Sequence, residues 1–379
     1  MYSLSEIGVT SIVLDNQDSI AGASRWSEEL RCPDPSSQTS DFICFLADLG
    51  RSFSNKPVIF ATNDIWLKPI LLNRKELEAY FIFPMSEWSV IEECFDKVKL
   101  ADRCLELDIP HPSSKLIKNS LELRAASDSF HYPCFLKPVI TIGFSEALGW
   151  AGRNIILESS SHTHSIADQM DHANLSDRSI IIQEKIPGGI NELYTFTSFS
   201  DENGDVLSWS TGHKIRQYPS KAGTITSGRV ERRDDLAKIG TSMIKKLGFY
   251  GIANSEFKRD SNTGEFKLIE INARPGMWNR SALATGINLP AISYFYALGI
   301  PFDYNQVSDK KIVWKIPILD FAYHVKSRNE NDRGIVALFI SWFFSLRGKK
   351  IDAIFNFSDL GPIFYFIKIL LKRALKKLA

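Results

Sequence analysis

Glu256-Phe257-Lys258-Arg259-Asp260, a break at Ser261-Asn262-Thr263-Gly264, then Lys267-Leu268-Ile269-Glu270-Ile271-Asn272-Ala273-Arg274-Pro275-Gly276: this stretch decides how the chain reads. The polar break between two apolar-flanked segments predicts a β-hairpin. Side chains alternate along a strand, so Glu270 and Asn272 face one way while Ile269 and Ile271 face the other. With Glu256 facing the same way on the neighbouring strand, two carboxylates and an amide oxygen converge. Hard oxygen donors of that kind suit Mg²⁺, which takes oxygen ligands at about 2.0–2.1 Å and often bridges substrate phosphates. Acids on a hairpin are ordinarily surface residues, but the isoleucines flanking Glu270 imply a strand whose other face is buried. Arg274-Pro275-Gly276 then ends the strand, since proline cannot donate to a ladder.

The bulk numbers narrow the classes. A chain of 379 residues is long enough for two or three packed units, each with its own core. Its 45 basic and 44 acidic side chains nearly cancel, which gives no argument for a nucleic-acid partner. Cys32, Cys44, Cys94, Cys104 and Cys134 are scattered without metal-like spacing, so reduced thiols in a cytoplasmic setting are expected. Met1 to Glu6 has neither a basic nor an apolar leader region. No apolar run approaches the roughly 18–20 residues that cross a bilayer.

Along the first hundred residues, short apolar runs at Val9–Leu14, Phe42–Leu46 and Val58–Ala61 predict strands. Asp64–Tyr80 and Asp96–Leu107 carry helical spacing, and such alternation predicts a parallel sheet. Phe135–Leu157 and Ile180–Trp209 read as β-rich, with Asn203-Gly204 a hairpin turn, and Arg232–Leu247 as a helix. Ile335–Leu346 is apolar but too short to span a membrane. In 362–378, Ile363, Phe364, Ile367, Leu371, Leu375 and Leu378 share one helical face. Lys368, Lys372, Arg373, Lys376 and Lys377 cover the other. Such a helix either packs its apolar face on the domain or lies on an anionic membrane surface.

Several upstream residues have types suited to a nucleotide. Lys137 ends the apolar strand Cys134–Pro138, where an ammonium can meet a phosphate. Val139–Gly152 contains Gly143, Ser145, Gly149 and Gly152, the composition of a phosphate-covering flap or of an ordinary loop. Ile180–Glu184 runs into Pro187-Gly188-Gly189, a break that frees backbone groups for an adenine edge, with Glu192 beyond it for ribose hydroxyls. Alternation puts Lys214 and Arg216 on one strand face, either as anion ligands or as a solvated face. No Gly-x-Ser-x-Gly nucleophile elbow is present.

The order of these pieces, Asp96-Lys97, Phe135–Pro138, Gln183–Gly189, Gly212–Pro219 and the hairpin ending in Glu270–Gly276, resembles the ATP-grasp superfamily. The similarity is greatest to its carboxylate–amine ligase branch, the D-aspartate ligases and the ATP-grasp domains of carbamoyl-phosphate synthase large subunits, and covers roughly residues 40–300. The resemblance implies an α/β plus α+β fold. A Rossmann-like pre-ATP-grasp lobe would occupy 1–95, shortened at its start because Tyr2–Val9 reads as already inside the first helix. The ATP-grasp domain would occupy 96–300, with a first lobe and flap at 96–182 and a second lobe with the metal site at 183–300. A helical extension with a basic amphipathic end would occupy 301–379. It further implies ATP with two Mg²⁺ ions, Mn²⁺ being an alternative. Lys97 and Lys137 would contact phosphates, Glu184, Lys185 and Ile186 the adenine, and Glu192 the ribose. Glu256, Glu270 and Asn272 would hold metal; Lys214, Arg216 and Arg274 would be catalytic.

The implied reaction joins a carboxylate and an amine through an acyl phosphate, with a small-molecule, cell-wall or surface-glycan substrate. Specificity would sit in loops at Lys221–Glu231 and Met277–Asn288. The alternatives are an ATP-grasp kinase that stops at phosphorylation, and a nucleotide-binding module without turnover.

Overall fold

The computed structural model describes residues 1–139, 147–149, 154–218, 224–304, 308–317, 319–321 and 350–378. The N-terminal region carries β1 (Ser11–Asp15) and β2 (Ser27–Arg31), paired in parallel from Ser11↔Ser27 to Asp15↔Arg31. Its helices are α1 (Tyr2–Ser5), α2 (Thr39–Arg51), α3 (Asp64–Leu72), α4 (Arg74–Leu77), α5 (Trp88–Phe95) and α6 (Lys97–Glu106). Phe42–Leu46 is therefore helical, not a strand. Phe42, Ile43, Leu46, Ala47 and Gly50 are its buried positions, the i, i+1, i+4, i+5, i+8 pattern of one helical face. Val58–Ala61 is reduced to a single parallel bridge, Val58↔Ile82. The helix expected over Asp64–Tyr80 is two, separated at Asn73. Helix α1 is one turn that packs against helices at 278–297, with Asn288 Nδ2 donating to Ser3 O at 2.8 Å, so the start is not part of a Rossmann-type helix.

The next unit is a four-stranded antiparallel sheet of order β3-β6-β4-β5: β3 (Ser114–Ile117), β4 (Cys134–Pro138), β5 (Ile155–Leu157) and β6 (Ile180–Glu184). Helices α7 (Ser120–Ala126) and α8 (Ser160–His172) cover it, burying Ile117, Leu123, Leu136, Ile166, Met170 and Ile180. Of the glycine-containing segment 139–152, all but Val139 and 147–149 lies outside the described residues.

The last unit is built on a seven-stranded sheet of order β11-β10-β7-β8-β9-β12-β13. Its strands are β7 (Leu193–Ser200), β8 (Val206–Tyr218), β9 (Thr224–Val230), β10 (Gly251–Arg259), β11 (Phe266–Asn272), β12 (Ile312–Lys315) and β13 (Lys350–Asp352). The 7–8 turn contains Gly204 at φ 76°, as the Asn-Gly pair implies. Helices α9 (Asp234–Leu247), α10 (Trp278–Thr285) and α11 (Leu289–Ala297) pack on this unit. The extension after 300 is not wholly helical: β12 pairs antiparallel with β9, and β13 parallel with β12. Ile335–Leu346 lies outside the described residues. The chain closes with α12 (Gly361–Leu378).

One hydrophobic core runs continuously from the N-terminal helices into this unit, joining Phe42, Leu46, Leu67 and Ile91 to Phe196, Met243, Phe249 and Phe257. Helices α5 and α6 also pack together across the expected boundary at 95/96. The N-terminal region thus braces the back of the hairpin, leaving its polar face directed at the four-stranded sheet.

Candidate nucleotide site between the two sheets

The placing of Glu256, Glu270 and Asn272 on one face follows from the sequence of the hairpin. Glu256 on β10 stands directly across from Glu270 on β11, and Asn254 across from Asn272, with a bulge between Glu256 and Phe257. All four line a cavity of about 690 Å³. Phe257 and Ile271 fill the opposite face as core, and Leu268 is buried between that core and the cavity. Ile269, expected on the core face with Ile271, is only partly buried and lines the cavity instead, because it is the extra residue of the bulge and the alternation breaks there. Burial pushes the Glu256 carboxyl up from the ordinary carboxylate range; Lys214 opposes that shift and Glu270 adds to it. Lys214 Nζ lies 2.7 Å from Glu256 Oε2. Asn272 Nδ2 donates to Glu270 Oε1, and Arg274 Nη2 to Asn272 Oδ1, each at 3.2 Å. Arg274 also pairs with Asp64 at the start of α3, so the N-terminal region holds the residue that orients Asn272. Asn254 belongs to the same cluster: Thr197 Oγ1 donates to its Oδ1 at 3.2 Å.

The opposite wall is cationic. Lys137 on β4 and Lys97 at the start of α6 line the same cavity. Asp96 caps α6, accepting from the backbone N–H of Val98 and Lys99, which fixes where Lys97 emerges. Lys137 Nζ donates to Gln183 Oε1, and Gln183 Nε2 to Ser114 Oγ at 3.0 Å. Burial lowers the Lys137 ammonium to about 8; neighbouring Lys97 adds to that, while Glu270 opposes it. Carboxylates on one sheet therefore face the amines of Lys137 on the other sheet and Lys97 on α6 across a space large enough for a nucleotide.

Other expected site residues stand elsewhere. Glu184 is engaged by Lys267 Nζ at 2.9 Å and by the Ser113 N–H at 3.0 Å. Ile186 is buried, Lys185 is partly buried, and Glu192 lies 3.5 Å from Arg259. None of these four lines the cavity. The Gly188 and Gly189 carbonyls, expected to be free, both accept from Lys258 Nζ. Arg216 does not share a face with Lys214. Register shifts between Lys214 and Arg216 and between Arg216 and Gln217 break the alternation. Gln217 lines the cavity instead. Arg216 turns to the fully buried Asp320, with Nε–Oδ1 at 2.6 Å and Nη2–Oδ2 at 2.9 Å, and Thr226 Oγ1 donates to the same carboxylate at 3.3 Å. Met277–Asn288 is mostly helix α10 and not a loop; Trp278 from it lines the cavity and stacks on Trp314. Of Lys221–Glu231, 224–230 is strand β9, and 221–223 lie outside the described residues.

Among the described residues no three His, Cys, Asp or Glu side chains gather as a self-sufficient metal cage. Two carboxylates with amide oxygens beside them match instead a cation that keeps waters and substrate oxygens in its shell, as Mg²⁺ does.

Residues 96–304 match the family model described as carbamoyl-phosphate synthase L chain, ATP binding domain. The chain belongs to this ATP-grasp family. Every cavity-lining residue, from Lys97 to Trp278, falls inside the matched range. Among curated relatives, a D-aspartate ligase of Enterococcus faecium is 26% identical over 243 residues, 62% of this chain and 57% of that protein. The N-terminal section of a Methanopyrus kandleri carbamoyl phosphate synthase large chain is 25% identical over 227 residues, 56% of this chain and 38% of that one. The chain thus spans between about two fifths and three fifths of the length of these relatives. The ATP-grasp fold is shared with solved structures. One is N5-carboxyaminoimidazole synthetase from Staphylococcus aureus, with TM-score 0.63, 14% identity, and coverage of 87% of this chain and 81% of that one. Another is L-amino acid ligase from Bacillus licheniformis, with TM-score 0.60, 15% identity, and coverage of 82% and 74%.

Proposed function

We propose that the chain is an ATP-dependent ligase that joins a carboxylate to an amine, forming an amide through an acyl phosphate. The observation that carries this reading is the cavity itself, with Glu256, Glu270 and Asn272 on one wall and Lys97 and Lys137 on the other. A carboxylate is a poor acyl donor until its oxygen is phosphorylated. Phosphoryl transfer asks for positioning and charge neutralisation more than for a protein nucleophile. In this reading Glu256, Glu270 and Asn272 hold Mg²⁺, which when bound neutralises phosphate charge and polarises the transferring group. Lys97 from α6 and Lys137 from the other sheet meet the phosphates, and Lys214 shields Glu256 until the nucleotide arrives. Arg274 keeps the Asn272 oxygen directed, and its remaining N–H groups suit a substrate carboxylate. Glu184 to Ile186 and Glu192 are assigned to adenine and ribose by family resemblance alone, and require Lys267 and Arg259 to yield. Arg216 is reassigned as a structural partner of Asp320.

The likeness to a D-aspartate ligase supports an amino acid as one substrate. The other is proposed to be the carboxylate or amine of a cell-wall or surface-glycan precursor, met on the cytoplasmic side of a membrane. The test incubates the chain with ATP, Mg²⁺ and paired panels of carboxylates and amines. ADP, phosphate and an amide that appear only when both partners are present support the ligase. A stable phosphorylated product formed without an amine would instead establish a kinase.

A further inference from the structure

Helix α12 is rooted in the body of the protein. Pro362 is buried, and Asp359 accepts from Ser24 Oγ at 2.5 Å and from the Arg25 N–H at 3.1 Å. Tyr365 Oη donates to Asp18 O at 2.8 Å. Gly361 lies so close to Ala23 that a Cβ there would overlap its carbonyl oxygen. One side of the helix, at Ile363, Phe366 and Leu370, is partly buried. Another side is not: Phe364 is 65% exposed, Ile367 40% and Leu371 59%. At about 100° per residue these three fall within an arc of roughly 60°. Phe357, 88% exposed, and Leu360, 41%, precede them.

The charge beside this stripe is one-sided. Residues 361–378 contain five basic side chains and no acidic one, while the other 361 residues hold 40 basic and 44 acidic. Lys368 is exposed next to the stripe. Among the described residues no helix is long and apolar enough to cross a membrane. The helix is about 27 Å long, enough to lie along a surface.

We propose that α12 is a membrane-surface anchor that lies in the headgroup layer of a bilayer rich in anionic lipid. Phe364, Ile367 and Leu371 enter the acyl boundary while the lysines meet lipid phosphates. Charge complementarity selects this occupant. A second copy docked two-fold on the same face would bring ten basic side chains together with no acid on either helix. An anionic bilayer answers both features of the helix at once, each basic residue near such a surface adding about fivefold in affinity. This inference does not depend on the ligase reading.

The test is co-sedimentation of the full chain with vesicles of equal parts phosphatidylglycerol and phosphatidylcholine, and with phosphatidylcholine alone. Binding to the anionic vesicles, weakened by salt, is expected. Phe364→Ser with Leu371→Ser removes exposed side chains and leaves the fold intact; it should reduce binding at least tenfold. Lys368→Glu with Lys372→Glu should abolish the preference for anionic lipid. Wild-type binding that is absent, equal on both vesicles, or unchanged in the variants overturns the proposal. So does a wild-type dimer that Phe364→Ser with Leu371→Ser converts to monomer without any vesicle binding, which would assign the stripe to a second copy.

Discussion

The β10–β11 hairpin and helix α12 break the rule of burial in opposite directions. The hairpin buries charge: Glu256 sits with Lys214 under a wall of amines. The helix exposes apolar surface: Phe364 and Leu371 stand in solvent on an element firmly held at its root. A buried charge and an exposed apolar stripe are the two observations that ordinary packing does not supply. Each asks for something outside the chain, a cation and phosphates in one case, a lipid surface in the other. Sequence alternation alone would have treated both as amphipathic elements with one wet and one dry face.

The largest contrast lies in equivalent phenylalanines. Phe257, fully buried behind the hairpin, should lose about 3–5 kcal/mol of stability on change to Ala. Phe364→Ser should stay within about 0.5 kcal/mol of wild type. Chemical denaturation of both variants decides it, and a large loss at Phe364 would mean that its stripe is covered after all.

A comparable effect separates the two cations of β8. Asp320→Ala leaves Arg216 unpaired and should destabilise by about 3 kcal/mol, with ATP affinity unchanged in the folded fraction. Lys214→Ala should do the reverse, disturbing ATP handling more than stability. If Asp320→Ala left stability untouched, the assignment of Arg216 to structure would fail.

A smaller effect follows from Lys137. Its ammonium is lowered to about 8 by burial, and phosphate binding requires the charged form. Apparent ATP affinity should fall as pH rises through 8, by about tenfold at pH 9. Lys137→Arg should remove that step. The linked stability runs the other way: between pH 8 and the unfolded lysine value the unfolded chain binds more protons, so stability contributed by this group rises with pH. Titrations of wild type and variant across pH 7–9 give the sign directly.

The hairpin was legible because three signals agreed: alternation from Glu270 to Asn272, a four-residue polar turn, and Pro-Gly at the end; the bulge that turns Ile269 into the cavity was not. The helix beginning near Asp96 and Lys137 at a strand end were legible for similar local reasons. The positions of Arg216 and the 188–189 carbonyls were not. A β-bulge has no fixed sequence signature, and Arg216 is claimed by Asp320, more than a hundred residues on. The carbonyls after Pro187 are taken by Lys258 from another strand. Phe42–Leu46 misled because a short apolar run fits a strand or a buried helical turn equally. Strands β12 and β13 were missed because each is only three or four residues long and gains its stability from the edge it joins. Asn254 carried a usable signal, two residues before Glu256 on the same strand face.

The central claim is that the partly buried acidic face of the hairpin binds ATP together with a divalent cation. It is tested most directly by titrating wild type and Glu270→Gln with a non-hydrolysable ATP analogue, with and without Mg²⁺. The account predicts that Mg²⁺ tightens binding to wild type and that the variant loses that gain, with ATP turnover falling about 10²-fold or more. Equal affinity in the two proteins, or wild-type binding indifferent to Mg²⁺, would contradict it.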